Sequence, residues 1–114
     1  MSESPSKSDL AVIKRVTDAL RKRIGEIREA IESMHKCRAK YVESVDVIET
    51  FEGKTVWDGV VEVFDISGHP QARRCYAWTF KENGEQRYVT VLELTPVNSP
   101  ITAVRAAIAS GQQK

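Results

Sequence analysis

Residues 73–94 read RRCYAWTFKENGEQRYVTVLEL, two apolar, alternating runs on either side of Asn83-Gly84. A two-residue loop of this composition predicts a type I′ turn, because both central positions need positive φ and Asn and Gly tolerate it. The turn sets the register, with Phe80 opposite Arg87, Trp78 opposite Val89, Tyr76 opposite Val91 and Arg74 opposite Glu93. Side chains alternate along a strand, so Tyr76, Trp78, Phe80, Val89 and Val91 share one face, with Arg74 and Arg87 at its ends. Cys75, Ala77, Thr79, Tyr88, Thr90, Leu92 and Leu94 share the other. A sheet apolar on both faces needs two covers. Small Ala77 and Cys75 leave room for close approach, which places both helices of the chain on their side. The aromatic face is then covered by curling of the sheet, by a second subunit, or by a ligand.

Outward from this hairpin the pattern stays β-rich as far as residue 41. Tyr41–Phe51 and Thr55–Ile66 are rich in Val, Ile and aromatics and flank a Glu52-Gly-Lys54 turn, while Gly68 and Pro70 punctuate a loop at Ser67–Gln71. Arg73–Lys81 and Gln86–Leu94 complete four strands, and Pro96 ends the sheet, which spans residues 41–95. Ser99 caps a short helix (99–110) with Pro100 in its first turn, Ile101, Val104, Ala107 and Ile108 along one side, and Gly111 as its stop. Toward the N-terminus, Ile13, Val16, Leu20, Ile24, Ile27, Ile31 and Met34 recur at spacings of three and four. That is helical period, and it predicts a helix over 9–38, about 43 Å long from Asp9 to Cys37, with Ser8 or Asp9 as its cap and a bend admissible at Gly25. The fold class is α+β, in the order α-β-β-β-β-α: a long N-terminal helix, a four-stranded antiparallel meander and a short C-terminal helix, the helices on one face. The order of elements looks like a cystatin-like grip and, more distantly, like the double-stranded-RNA-binding domain.

The chain has 114 residues, 41% of them hydrophobic, which suits one domain (9–110) with tails at 1–8 and 111–114 and excludes a multidomain enzyme. No apolar run approaches the roughly 20 residues of a membrane helix, and the N-terminus lacks the apolar stretch of a secretory signal, so the expectation is a cytoplasmic protein without membrane contact. Cys37 and Cys75 are too few for a disulfide framework. Net charge is +1, but unevenly spread: residues 7–40 carry ten Lys/Arg against five Asp/Glu, and residues 41–114 carry seven against ten. Such asymmetry marks a segment that meets polyanions, a helix that docks on an acidic neighbour, or a solvated basic face.

Residue types with chemical potential are present, but their spacing does not assemble a site. His35, Cys37, His69 and Cys75 could supply a Cys2His2 zinc set, yet no common zinc module has this spacing, so no metal or other cofactor is expected. Asp65, Ser67 and His69 sit within one loop, where Asp and Ser beside Gly are ordinary turn formers. Cys75 lies mid-strand among apolar neighbours that leave its thiol unreactive. Glu43, Asp46, Glu49, Glu62 and Asp65 read as a solvated sheet edge that discourages edge pairing. There is no Gly-rich phosphate loop. The sequence therefore points away from catalysis.

Two surfaces remain. A strand of ten residues spans about 33 Å, so the long helix overhangs the sheet and exposes its stripe unless a partner covers it. Ile13, Val16, Leu20, Ile24, Ile27 and Ile31 are thus the candidate oligomer helix of a self-associating interaction module, expected to be a homodimer, with a protein partner as a further expectation. From a different class, Arg74, Tyr76, Trp78, Phe80 and Arg87 form a candidate surface for single-stranded nucleic acid, with bases stacked on aromatics and phosphates held by Arg. Lys14, Arg15, Arg21, Lys22 and Arg23 would add phosphate contacts to it, while Glu93, Glu62 and Asp58 would repel the backbone.

Several short stretches belong together as a set: His35-Lys-Cys37-Arg-Ala39, Val42-Glu-Ser-Val45, Thr55-Val-Trp57-Asp-Gly59, Gly68-His-Pro70, Cys75-Tyr-Ala-Trp78, and Ser99-Pro100 leading to Ala103-Val-Arg-Ala106. Together they resemble a family of small α-proteobacterial proteins, of the rhizobial type, whose function is unknown. The resemblance covers roughly residues 31–110 and leaves the basic helix outside it. It implies a bacterial, soluble, cytoplasmic protein and no particular activity, cofactor or site.

Overall fold

A computed structural model describes residues 6–111. Helix α1 (Lys7–His35) is followed by strands β1 (Arg38–Phe51), β2 (Lys54–Ser67), β3 (Arg74–Glu82) and β4 (Glu85–Leu92), then by helix α2 (Pro100–Ser110). The strands form one antiparallel sheet in the order β1-β2-β3-β4, the α+β meander read from the sequence. Both hairpins turn on residue pairs of positive φ, Glu52-Gly53 and Asn83-Gly84. The β3–β4 register has Phe80 opposite Arg87, Trp78 opposite Val89 and Tyr76 opposite Val91. The amide of Glu93 donates to the carbonyl of Arg74 at 2.8 Å, extending the ladder by one more residue.

The helix start lies earlier than the sequence suggested. Ser6, rather than Ser8 or Asp9, is the N-cap of α1: its hydroxyl accepts from the Asp9 amide at 3.2 Å while its own amide donates to the Asp9 carboxylate at 3.3 Å. This reciprocal box satisfies two donors that a helix start otherwise leaves open. Lys7 and Ser8 therefore belong to the helix and Ser6 caps it, and the rest of the expected N-terminal tail, like residues 112–114, lies outside the described residues. α1 runs without interruption through Gly25 and ends at His35, with Lys36 left-handed behind it. Ser99 caps α2 with a matching box to Thr102, and Gly111 closes it.

The helices do not share a face. α1 packs on the side of Ala77 and Cys75, where Ile27 and Ile31 are buried against Phe64, Ile66 and Ala72. α2 lies on the aromatic side, where Ala103, Val104 and Ala107 are buried against Val61, Val63, Tyr76 and Trp78. This corrects the expectation that both helices sit on the small-residue side, and α2 covers the aromatic face in place of the curled sheet, second subunit or ligand expected there. The physical reason lies in a sheet apolar on both sides. One long and one short amphipathic helix serve it best on opposite faces, and the connection after β4, with Val97 buried in the α2-side core, brings α2 across.

β1 and β2 are 14 residues each, about 46 Å long, and pair along their whole length with irregularities at Tyr41/Glu43 and Glu49/Thr50. β2 pairs with β3 only over Glu62–Asp65. Outward from there, Trp57 on β2 meets Trp78 on β3 edge-on, with ring centroids 5.3 Å apart, so side chains continue the join. The radius of gyration is 16.4 Å, against about 13 Å for a compact chain of this length. The chain is more extended than its core requires.

Candidate functional site

The aromatic constellation is core. Tyr76 and Trp78 are each only 2% exposed beneath α2, so neither presents a ring on which a base could stack. Tyr76 donates its hydroxyl proton to Glu93. Burial first, and Glu93 second, push its pKa up to about 12. Phe80 is half-buried against the same cluster. Arg74 is paired with Asp65 at 2.9 Å and Arg87 with Glu85 at 3.1 Å, so the two guanidiniums proposed to hold phosphates already have carboxylate partners. Of the five residues expected to form a nucleic-acid surface, the packing thus buries Tyr76 and Trp78 beneath α2 and leaves Arg74 and Arg87 at the surface in ion pairs.

His35 and His69, 34 residues apart in sequence, do come together, edge to face at 6.5 Å. Both are occupied. Nδ1 of His69 accepts from the amides of Gln71 at 3.1 Å and Ala72 at 2.9 Å, which shapes the β2–β3 loop. Nε2 of His35 lies 2.7 Å from the Thr90 hydroxyl, and burial, with His69 alongside, lowers the His35 pKa. With Asp65 engaged by Arg74 and His69 engaged by its own loop, Asp65, Ser67 and His69 form no relay. Burial, and then neighbouring Cys37, push the Cys75 thiol up to about 12. Among the described residues no group of three or more His, Cys, Asp or Glu is placed to hold a metal ion.

The long helix divides into two halves. Ile27 and Ile31 are 1% and 0% exposed and Ile24 packs beside them, so these three members of the stripe belong to the chain's own core. Outward from Arg23, Leu20, Val16 and Ile13 lie about half exposed, as does Leu10, which lies within the expected helix but outside the stripe named from the sequence. With Leu10 included, the series is a regular heptad: Leu10, Thr17, Ile24 and Ile31 at one core position, and Ile13, Leu20, Ile27 and Met34 at the other. The face that is core in one half is therefore uncovered in the other. Beside it runs a row of bases seven apart, Lys7, Lys14, Arg21 and Arg28.

Where α1 last touches the sheet, Arg23 meets Glu62 at 2.6 Å. Glu62 is 1% exposed and also accepts from the Ser44 hydroxyl, which in turn lies 2.7 Å from the Tyr41 hydroxyl. The expectation of a solvated edge for Glu62 is thus corrected. Val60 and Phe64, two residues to either side and so on the same face of a central strand, are the apolar neighbours beside which Glu62 is buried. Glu49 likewise is not free: Arg105 on α2 donates to it and holds its carboxyl below the ordinary range. Asp46 and Asp58 lie on the same sheet face as Glu62, further out, and both are exposed. On the α2 side a groove of about 530 Å³ opens between Phe51, Val56 and Ile108.

The total accessible surface is 8202 Å², against about 6,300 Å² for a compact monomer of 12.8 kDa. One side of a standard protein interface buries about 800 Å². No described helix is long and apolar enough to cross a membrane. No protein-family model matches this chain, and neither a curated protein nor a solved structure matches it.

Proposed function

We propose that this chain is a small, non-enzymatic interaction module that self-associates as a homodimer through the first half of α1. The observation that carries the reading is the exposed continuation, from Leu20 to Leu10, of the stripe that is fully buried at Ile27 and Ile31. Two heptads of aliphatic side chains on a projecting helix are a standing cost in water, and a partner surface removes it. A cytoplasmic setting is part of the same reading, supported by two cysteines that are not disulfide-bonded.

Light scattering on a sizing column tests it. The chain is expected at twice 12.8 kDa. Ile13→Glu with Leu20→Glu is expected to halve that mass and leave the circular dichroism spectrum unchanged, because both residues lie outside the core. A wild-type monomer overturns the proposal. Absorbance recorded at 260 nm separates the nucleic-acid reading, since bound polyanion would raise it and added salt would remove it.

A further inference from the structure

We infer that the surface receiving the projecting half of α1 is the outer α1-side face of the β1–β2 hairpin in a second copy of the chain, so that two protomers exchange arms; this rests on the self-association proposed above. The rows of cross-strand pairs on that face show how a helix of this chain is received. Moving outward, Ala39–Ile66 and Tyr41–Phe64 lie in or against the α1-side core, and Ser44–Glu62 takes Arg23. The next two rows, Asp46–Val60 and Ile48–Asp58, have the same mixture of aliphatic and acidic side chains. Ile48 is 59% exposed. α1 presents to the covered rows aliphatic residues and a base, and its projecting half repeats that mixture with Ile13, Leu20, Lys14 and Arg21.

Charge selects this pairing. Among the described residues Asp46, Asp58, Lys14 and Arg21 are in no ion pair. Diagonal neighbours across two strands lie about 7–8 Å apart, as Asp46 and Asp58 do by register, and residues seven apart on a helix lie about 10.5 Å apart. Long Lys and Arg side chains span that difference. Pairing the arm with a second arm is less favourable. An antiparallel pair sets the row Lys7, Lys14 and Arg21 against itself, and a parallel pair offers two heptads, too few to hold a helix pair on their own. Arm exchange about a two-fold axis makes the contact twice, and each contact joins a basic segment to an acidic one.

Two charge-reversed chains test this. The arm variant is Lys14→Glu with Arg21→Glu, and the sheet variant is Asp46→Lys with Asp58→Lys. All four positions are exposed, and a retained circular dichroism spectrum confirms folding. Each variant alone should run at the mass of one chain, with self-association at least about tenfold weaker than wild type. Mixed in equal amounts they should restore the dimer mass, because both contacts of the mixed dimer are then complementary. A sheet variant that stays dimeric while the arm variant dissociates overturns the arm exchange and leaves self-association standing. A monomeric wild-type chain overturns both, and if it then sediments with phosphatidylserine vesicles, the arm belongs to an anionic bilayer instead.

Discussion

Replacing Arg23 with Met removes the guanidinium from Glu62, which is 1% exposed, and leaves that carboxylate with the Ser44 hydroxyl. Breaking a fully buried ion pair on one side costs about 3–5 kcal/mol, because the remaining charge stays desolvated without its partner. Arg23 is 40% exposed, so water already screens the pair and partly replaces the lost contact. The expected cost falls accordingly to about 2 kcal/mol. For a chain of this size that lowers the melting temperature by about 10 °C. Arg23→Met/Glu62→Met removes both charges and fills the gap with apolar volume, and should return to within about 1 kcal/mol of wild type. Urea denaturation of the four proteins, followed by circular dichroism at one protomer concentration, yields the coupling energy directly. A double variant whose loss equals the sum of the single losses would refute the reasoning, since Glu62 would then be stabilised by something other than Arg23.

Three further outcomes follow from the packing. The folded state disfavours protonated His35, so stability is intact above its ordinary value of 6.5 and declines as pH falls below it, toward the lowered folded value. His35→Gln should flatten that slope in melts at stepped pH, and an unchanged slope would remove His35 as its source. Cys37, half-buried, should react with a thiol reagent at least about a hundredfold faster than fully buried Cys75, whose rate should follow global unfolding. Equal rates would contradict the placement of Cys75. A Cβ at Gly59 would stand 3.0 Å from Cη2 of Trp57, so Gly59→Ala should displace that ring from Trp78, change the near-ultraviolet dichroism and cost about 1 kcal/mol.

Much of the architecture is local and therefore legible. The period of Ile13 to Met34 specifies a helix whatever it packs on, Asn83-Gly84 specifies a turn and hence a register, and Ser99-Pro100 specifies a helix start. The element boundaries moved by a few residues where a cap competed: Ser6 and Asp9 form a reciprocal box, whereas Ser8 lies inside the first turn. The candidate surfaces were only half legible. Aliphatic spacing marks a helix face that must be covered, but it does not say by what.

The covering was decided by tertiary structure. The same heptad is core at Ile27 and Ile31 and exposed at Ile13 and Leu20, because the sheet lies beneath one half of α1 and not the other. Tyr76 and Trp78 are as aromatic in a core as on a ligand surface, and only the passage of α2 to their side removes them from water. Glu62, Asp46 and Asp58 are strand carboxylates on one face of the sheet; the position of Arg23 over that face separates one buried partner from two exposed acids. Hydrogen-bonding period and turn chemistry act over a few residues and are written into the chain, whereas burial depends on which distant segment arrives on each face.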